Sequence, residues 1–266
     1  MWNSMFRLLT ELSSRPTIAR LVGAFAKSSV SKALIPKFAQ FYGILVEEAE
    51  HELSGYGSLN DFFIRRLKPG ARPIDPEERS VVSPVDGTVA AAGRIAPDRT
   101  FPVKGQSYTI DELLNGSPHA ARYVNGTFAV IYLSPSNYHR IHAPVDAEVT
   151  EFDRIPGAVY PVNDPSLRLM RQVLSRNARL VTYLKHEGGT MALVKVGAMN
   201  VSSIRYAAGD AAADRVAKGE ELAYFEFGST VVLLWEKDRF VPSDRLTPGN
   251  QLRMGEKIGE IAPRRG

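Results

Sequence analysis

Three groups of side chains in this chain could move a proton or form a bond. Asp86 lies in Ser83-Pro84-Val85-Asp86-Gly87, His139 and His142 in Tyr138-His139-Arg140-Ile141-His142, and Ser229 in Gly228-Ser229-Thr230. An acid, an imidazole base and a hydroxyl are the set that activates a serine. Each also has a plainer reading. Asp-Gly marks ordinary turns, and Gly-Ser-Thr alone is a common tripeptide. Two histidines three apart could share a metal on a helix, but Ser134-Pro135 and Ala143-Pro144 flank them and argue for a loop. No neighbouring carboxylate cluster completes a ligand set, so no metal is expected. Gly228 sharpens the reading of Ser229. Glycine tolerates backbone conformations that other residues resist, and strain there would favour attack of the Ser229 hydroxyl on the Gly228 carbonyl.

The order Asp, His, Ser also occurs in one serine hydrolase lineage, so a hydrolase using Asp86, His142 and Ser229 is the alternative. Against it, Ser229 lacks a Gly-x-Ser-x-Gly elbow and a following helix. A third reading, a β-rich carrier of lipoyl-like kind, draws on Pro84-Val85-Asp86-Gly87 but lacks a central lysine between two such strands.

The elements that must position these residues are mostly strands. Leu222 to Phe227 and the continuous apolar run Val231 to Trp235 read as two strands meeting at Gly228-Ser229. Thr127 to Leu133, Val145 to Phe152, Met191 to Val196 and Val201 to Tyr206 read as further strands. Val81-Val82 and Thr88-Val89 flank the Asp86-Gly87 hairpin-type signal. Ser58-Leu-Asn-Asp61 and Thr109-Ile-Asp-Glu112 are capping patterns for short helices. Asp164-Pro165 starts a third helix, with Leu167, Met170, Val173 and Leu174 on one face. Arg65, Arg66, Lys68 and Arg72 form a basic cluster of the kind that usually marks a solvated face.

Across 266 residues, 44% hydrophobic and 23% charged, the chain is long enough for one sizeable core. It has no cysteine, which excludes disulfides and thiolate metal sites. A formal charge of +4 is too mild to suggest a nucleic-acid partner, but it is unevenly placed. Residues 1–45 carry Arg7, Arg15, Arg20, Lys27, Lys32 and Lys37 against Glu11 alone. Ile18, Leu21, Val22 and Phe25 share one helical face, with Arg20 and Lys27 nearly opposite. Such a helix lies in a membrane interface or packs as a flank on the main domain, and the sequence leaves both open. The expected architecture is α+β: residues 1–57 a basic, helical, membrane-docking region, and residues 58–266 a catalytic domain of predominantly antiparallel sheet.

From about residue 58 to 261 the chain resembles the phosphatidylserine decarboxylases in their proenzyme form. The resemblance rests on ordered segments. They are Phe62-Phe63-Ile64-Arg65-Arg66-Leu67-Lys68-Pro69-Gly70, Pro84-Val85-Asp86-Gly87, Val103-Lys104-Gly105 and Tyr138-His139-Arg140-Ile141-His142. Pro156-Gly157 to Asn163, Asn177-Ala178-Arg179, Val196-Gly197-Ala198-Met199 and Lys218-Gly219-Glu220 leading to Gly228-Ser229-Thr230 complete them. Phe227, Ala178 and Ser202 depart from the usual Leu, Glu and Gly.

The resemblance implies that Asp86, His142 and Ser229 drive self-cleavage between Gly228 and Ser229. It implies chains of residues 1–228 and 229–266 that stay together as a heterodimer, with a higher oligomer left open. Ser229 would become a covalent pyruvoyl group, without a metal, that forms a Schiff base with phosphatidylserine and yields phosphatidylethanolamine. His139 would contact substrate or transfer a proton. The expected location is peripheral, on the cytoplasmic face of the cell membrane, where Ile18, Arg20, Leu21, Val22, Phe25 and Lys27 meet an anionic surface.

Overall fold

A computed structural model describes residues 16–198, 204–226 and 229–262 of the chain. At its centre is an eight-stranded antiparallel sheet with the order β11-β7-β8-β9-β13-β5-β2-β15. Its middle strand, β13 (Ser229–Trp235), is buried at every position. β13 pairs residue for residue with β5 (Thr127–Leu133) on one side and with β9 (Gly189–Gly197) on the other. Burial on both faces explains why Val231 to Trp235 is a continuous apolar run and not an alternating one. Beyond β9 lie β8 (Arg179–His186), β7 (Ala147–Ile155) and β11 (Arg215–Val216), and beyond β5 lie β2 (Gly87–Arg94) and β15 (Gln251–Leu252).

Alternate residues of the central strands feed two cores. Val231, Leu233 and Trp235 join Ala129, Ile131, Met191 and Leu193 in one core, whereas Val232 and Leu234 join Val130, Ala192 and Val194 in the other. By the same alternation Ser229 faces the first core.

The first core is covered by two small sheets. One has the order β10 (Ile204–Tyr206), β12 (Glu221–Phe225), β6 (Arg140–His142). The other is β1 (Ser80–Val82), β16 (Lys257–Ile261), β14 (Phe240–Pro242). The second core is covered by the hairpin of β3 (Thr100–Val103) and β4 (Gln106–Thr109) and by short helices. This mostly antiparallel arrangement is the expected α+β class.

Several local expectations hold for physical reasons visible in the side chains. Ser58 Oγ accepts the Asp61 backbone N–H (3.1 Å) at the start of α3 (Leu59–Phe63), and Thr109 Oγ1 accepts that of Glu112 (3.1 Å) at the start of α4 (Ile110–Leu113). Ahead of them come α1 (Pro16–Lys27) and α2 (Ile35–Tyr42). Ile35, Ala39 and Ile44 pack with Tyr56 and Phe62 in a separate small core.

Other expectations are corrected. The helix expected from Asp164 breaks into α5 (Asp164–Leu169) and α6 (Val173–Arg176), because Gln172 takes the left-handed conformation (φ 55°) between them. Its apolar residues are buried all the same. Asp86-Gly87 is not a hairpin turn: β1 pairs with β16 while β2 pairs with β5 and β15, so the segment carries the chain from one sheet to another. Gly87 serves close approach there, since a Cβ would lie 2.5 Å from the Tyr132 carbonyl oxygen. The two strands around residue 228 also belong to different sheets. Of the strand expected over 201–206, residues 204–206 form β10, and 201–203 lie outside the described residues.

Candidate active site

Ser229 opens β13, opposite Leu133 of β5 and Gly197 of β9. It is fully buried, and its Oγ has no hydrogen-bond partner among the described residues. A buried hydroxyl without a partner costs about 1–3 kcal/mol, so such groups invite a functional explanation. Gly228 itself, with Phe227, lies outside the described residues.

His142 closes a strand, β6, not the loop expected from the flanking prolines, whereas His139 stands in the loop just ahead of that strand. β6 pairs with β12, and the Phe225 N–H donates to the His139 carbonyl (3.1 Å). Thus the chain leading to residue 229 leaves the sheet beside His139 and enters the central sheet opposite Leu133. Those two points bracket residues 227–228, where the sequence leads us to expect cleavage.

His142 is buried and held at both nitrogens. Its Nδ1 bonds the Gly219 carbonyl (2.8 Å), which can only accept, so Nδ1 carries the proton. The unprotonated Nε2 then accepts from the Tyr138 hydroxyl (3.0 Å). Burial lowers the His142 pKa, with the Gly219 bond and the charges of Glu221 and Asp86 acting in the opposite direction. The ring is therefore a neutral base, and burial raises the Tyr138 pKa so that its hydroxyl stays protonated. Gly219 has φ +83°, and a Cβ on it would lie 2.7 Å from Ile74, so glycine is needed where the Lys218-Gly219-Glu220 segment presents this carbonyl.

His139 is fully buried. Its Nδ1 donates to the Asn137 carbonyl (2.8 Å) and its Nε2 is left as an acceptor without a partner among the described residues. Burial, aided by the Arg65 charge, pushes its pKa down to about 3. The Phe63 ring lies 4.0 Å from the imidazole, and Arg65 Nη2 donates to the carbonyls of Ser136 (3.1 Å) and Asn137 (3.3 Å). Phe63 and Arg65 thus fix the turn that carries His139. The basic cluster is not one solvated face: Arg65 is buried, as is the side chain of Arg72.

A neutral buried histidine has a consequence for stability. Its folded pKa of about 3 lies below the 6.5 of a free imidazole, so as pH falls the unfolded chain takes up this proton first. The contribution is present in full above about pH 6.5 and is lost as pH falls towards 3, at about 1.4 kcal/mol per unit. Urea unfolding of the protein should show stability falling between pH 6.5 and 5. A His139→Asn variant should lose that share of the slope.

Asp86 is held by Arg72, whose Nε donates to Oδ1 (2.9 Å) and whose Nη2 donates to Oδ2 (2.6 Å). Asp86 Oδ1 also accepts the Met254 N–H (2.8 Å), and Arg72 Nη2 bridges to Glu48 (2.8 Å). No hydrogen bond joins Asp86 to His142 among the described residues; the carboxylate acts on the ring through space, favouring its charged form. A cavity of about 280 Å³ is lined by Asp86, Tyr138, Arg65, Arg72 and Arg253, with Gly43 and Leu45 of the N-terminal region at its side. Tyr138 and Gly219 are the functional groups that sequence reasoning missed. Tyr138 sits four residues before His142, and no periodicity distinguishes it.

The membrane-facing residues are partly placed. Leu21 (72% exposed), Val22 and Phe25 form an uncovered apolar face on α1, while Ala26 is buried. The side chains of Ile18 and Arg20 lie outside the described residues. Lys27 Nζ reaches Glu226, 2.7 Å away, two positions ahead of Gly228. Among the described residues no helix is long and apolar enough to cross a membrane, and no three His, Asp or Glu side chains could together hold a metal ion.

Residues 59–260 match the family model for phosphatidylserine decarboxylase. The phosphatidylserine decarboxylase proenzymes of Bacillus mycoides strain KBAB4 and Bacillus cereus strain B4264 are each 45% identical over 258 residues, covering 97% of this chain and 97% of each relative. The proenzyme of the same name from Bacillus thuringiensis strain Al Hakam matches with the same identity and coverage. With nearly its whole length accounted for in this way, the chain belongs to the phosphatidylserine decarboxylase family, whose matched relatives carry the name of proenzymes.

Proposed function

We propose that this chain cleaves itself between Gly228 and Ser229 and, as the resulting pair of chains, decarboxylates phosphatidylserine to phosphatidylethanolamine. The observation that carries the reading is the buried Ser229 hydroxyl at the head of the central strand, without a partner among the described residues. The proenzyme names of the relatives supply the precursor logic.

In the first stage His142 takes the Ser229 hydroxyl proton at Nε2 once the Tyr138 hydroxyl gives up its bond, and Asp86 stabilises the imidazolium. The Ser229 oxygen attacks the Gly228 carbonyl, and the peptide C–N bond is exchanged for an ester. Loss of the α-proton of residue 229 then expels the Gly228 carboxylate and leaves a dehydroalanine. Water hydrolyses its enamine to a ketone, with release of ammonia. The chains 1–228 and 229–266 stay together because β12 and β13 are each embedded in sheet and core.

A pyruvoyl group at residue 229 fits the site, since the Ser229 hydroxyl it replaces makes no hydrogen bond to the described residues that would be lost. It supplies a carbonyl that can condense with the substrate amine and accept the electrons left as carbon dioxide departs. His139, neutral with a bare Nε2, is suited to accept a hydrogen bond from the substrate rather than to donate one. The cavity's three arginines, Arg65, Arg72 and Arg253, outnumber its two acids, Glu48 and Asp86, which favours an anionic headgroup. Residues 1–57 form the docking region and 58–266 the catalytic domain. The exposed face of Leu21, Val22 and Phe25 supports peripheral attachment to an anionic membrane surface.

Intact-mass spectrometry of the purified protein tests this. The expected result is two chains divided between residues 228 and 229, the smaller without a free amine at its N-terminus and reactive towards hydroxylamine. A single unbroken chain with full decarboxylase activity would sink the proposal.

A further inference from the structure

Glu226 is the last described residue before the cleavage segment, two positions ahead of Gly228. Its side chain is only 7% exposed, yet it belongs to no core. Two cations from separate elements reach it. Lys27 Nζ, in the last turn of α1, lies 2.7 Å from Oε2, and Arg205 Nε, on β10, lies 3.4 Å from Oε1. Each carboxylate oxygen has its own partner. A carboxylate withdrawn from water is tolerated when paired and is driven back towards solvent when it is not. The position of residue 226 therefore depends on these two side chains.

Both partners are themselves anchored. Arg205 stands opposite Tyr224 in the β10–β12 pairing, so it braces the same strand that delivers Glu226. α1 is tied down at the end that carries Lys27: Ser31 Oγ donates to the Ala26 carbonyl (2.9 Å) and accepts the Leu59 N–H (2.9 Å). Lys27 thus links residues 199 positions apart, from a helix with an outward apolar face to the peptide that must meet the Ser229 hydroxyl. Intramolecular attack is sensitive to placement, and a displacement of about 1 Å can cost on the order of 10²-fold in rate.

We infer that Lys27 and Arg205 form a clamp on Glu226 that positions the scissile Gly228–Ser229 peptide, so that α1 belongs to the self-cleavage apparatus as well as to the membrane face. Lys27 and Arg205 are positioning residues: they act on the reacting bond through Glu226. After cleavage the same clamp holds the new C-terminal tail of the larger chain in place. The inference rests on the self-cleavage reading above.

The test follows conversion of freshly synthesised precursor on a denaturing gel, for the full-length wild type and for Lys27→Met, Arg205→Met, Lys27→Met with Arg205→Met, Lys27→Arg, Glu226→Gln and Lys27→Met with Glu226→Gln. Lys27→Met should slow cleavage about tenfold, and joint loss of Lys27 and Arg205 about a hundredfold. Lys27→Arg should restore most of the rate. Lys27→Met should add nothing to Glu226→Gln, because the lysine would have no other route to the bond. Removing either half-exposed cation leaves Glu226 its other partner, so the single variants should fold as the wild type does, and thermal melting of every variant, the double one included, sets the temperature at which rates are compared. Equal rates for wild type and the Lys27→Met, Arg205→Met double variant would overturn the clamp, as would multiplying effects of Lys27→Met and Glu226→Gln. A wild type that never splits would instead undo the proposed function itself.

Discussion

Replacing Ser229 by alanine is expected to leave one unbroken 266-residue chain and to lower decarboxylation by at least about 10⁶-fold, the lower end of enzymatic accelerations. The variant is a clean test because the structure gives the hydroxyl nothing to do in holding the fold. Its Oγ bonds no described group, and β13 is secured by backbone pairing to β5 and β9. Removing a buried hydroxyl without a partner should leave stability unchanged or raise it by up to about 1–3 kcal/mol. A melting temperature at or above that of the wild type, together with a single band and no product, is the expected combination. Loss of folding in this variant would mean that Ser229 is structural, and retained activity would mean that the chemistry lies elsewhere.

Asp86→Asn should have the next largest effect, and on two quantities at once. Arg72 is almost fully buried and shares its guanidinium between Asp86 and Glu48. Taking away one of the two charges should cost about 3 kcal/mol, the low end for breaking a buried pair, because Glu48 remains. Maturation should slow by on the order of 10²-fold or more, since the imidazolium at His142 loses a stabilising charge. The two effects are separable by pH. Asp86 raises the His142 pKa against the stronger downward pull of burial. Without it the pKa falls further, and the acidic limb of the maturation profile should move to lower pH. A variant that matured at the normal rate, well below its melting temperature, would remove Asp86 from the reaction and leave it a purely structural partner of Arg72.

The placement of these residues shows why parts of the site could be read early and parts could not. Ser58 and Thr109 cap helices through bonds spanning three residues, so their patterns carried the answer locally. Val231 to Trp235 announced a doubly buried strand by having no polar alternation. Nothing local distinguishes an Asp-Gly hairpin from a crossover between sheets. Asp86-Gly87 is the latter because its neighbours pair with strands more than forty residues away. The prolines around the histidines suggested a loop, whereas pairing with β12 makes Arg140 to His142 a strand. Lys27 and Arg65 looked like surface charge because a one-dimensional pattern cannot show a carboxylate 199 residues distant or a carbonyl 71 residues away.

Composition, spacing and motif order determined by themselves the α+β class and the family, and singled out Asp86, His142 and Ser229 as the proposed trio, because side-chain chemistry and short-range periodicity are properties of the chain. Only the tertiary structure decided which nitrogen of His142 is free to accept, that Tyr138 and Gly219 hold the ring, that Arg72 holds Asp86, and that α1 reaches Glu226. Those are facts of proximity in a low-dielectric interior. There, a hydrogen bond or a charge decides protonation and position, and proximity between distant residues exists only once the sheets have packed.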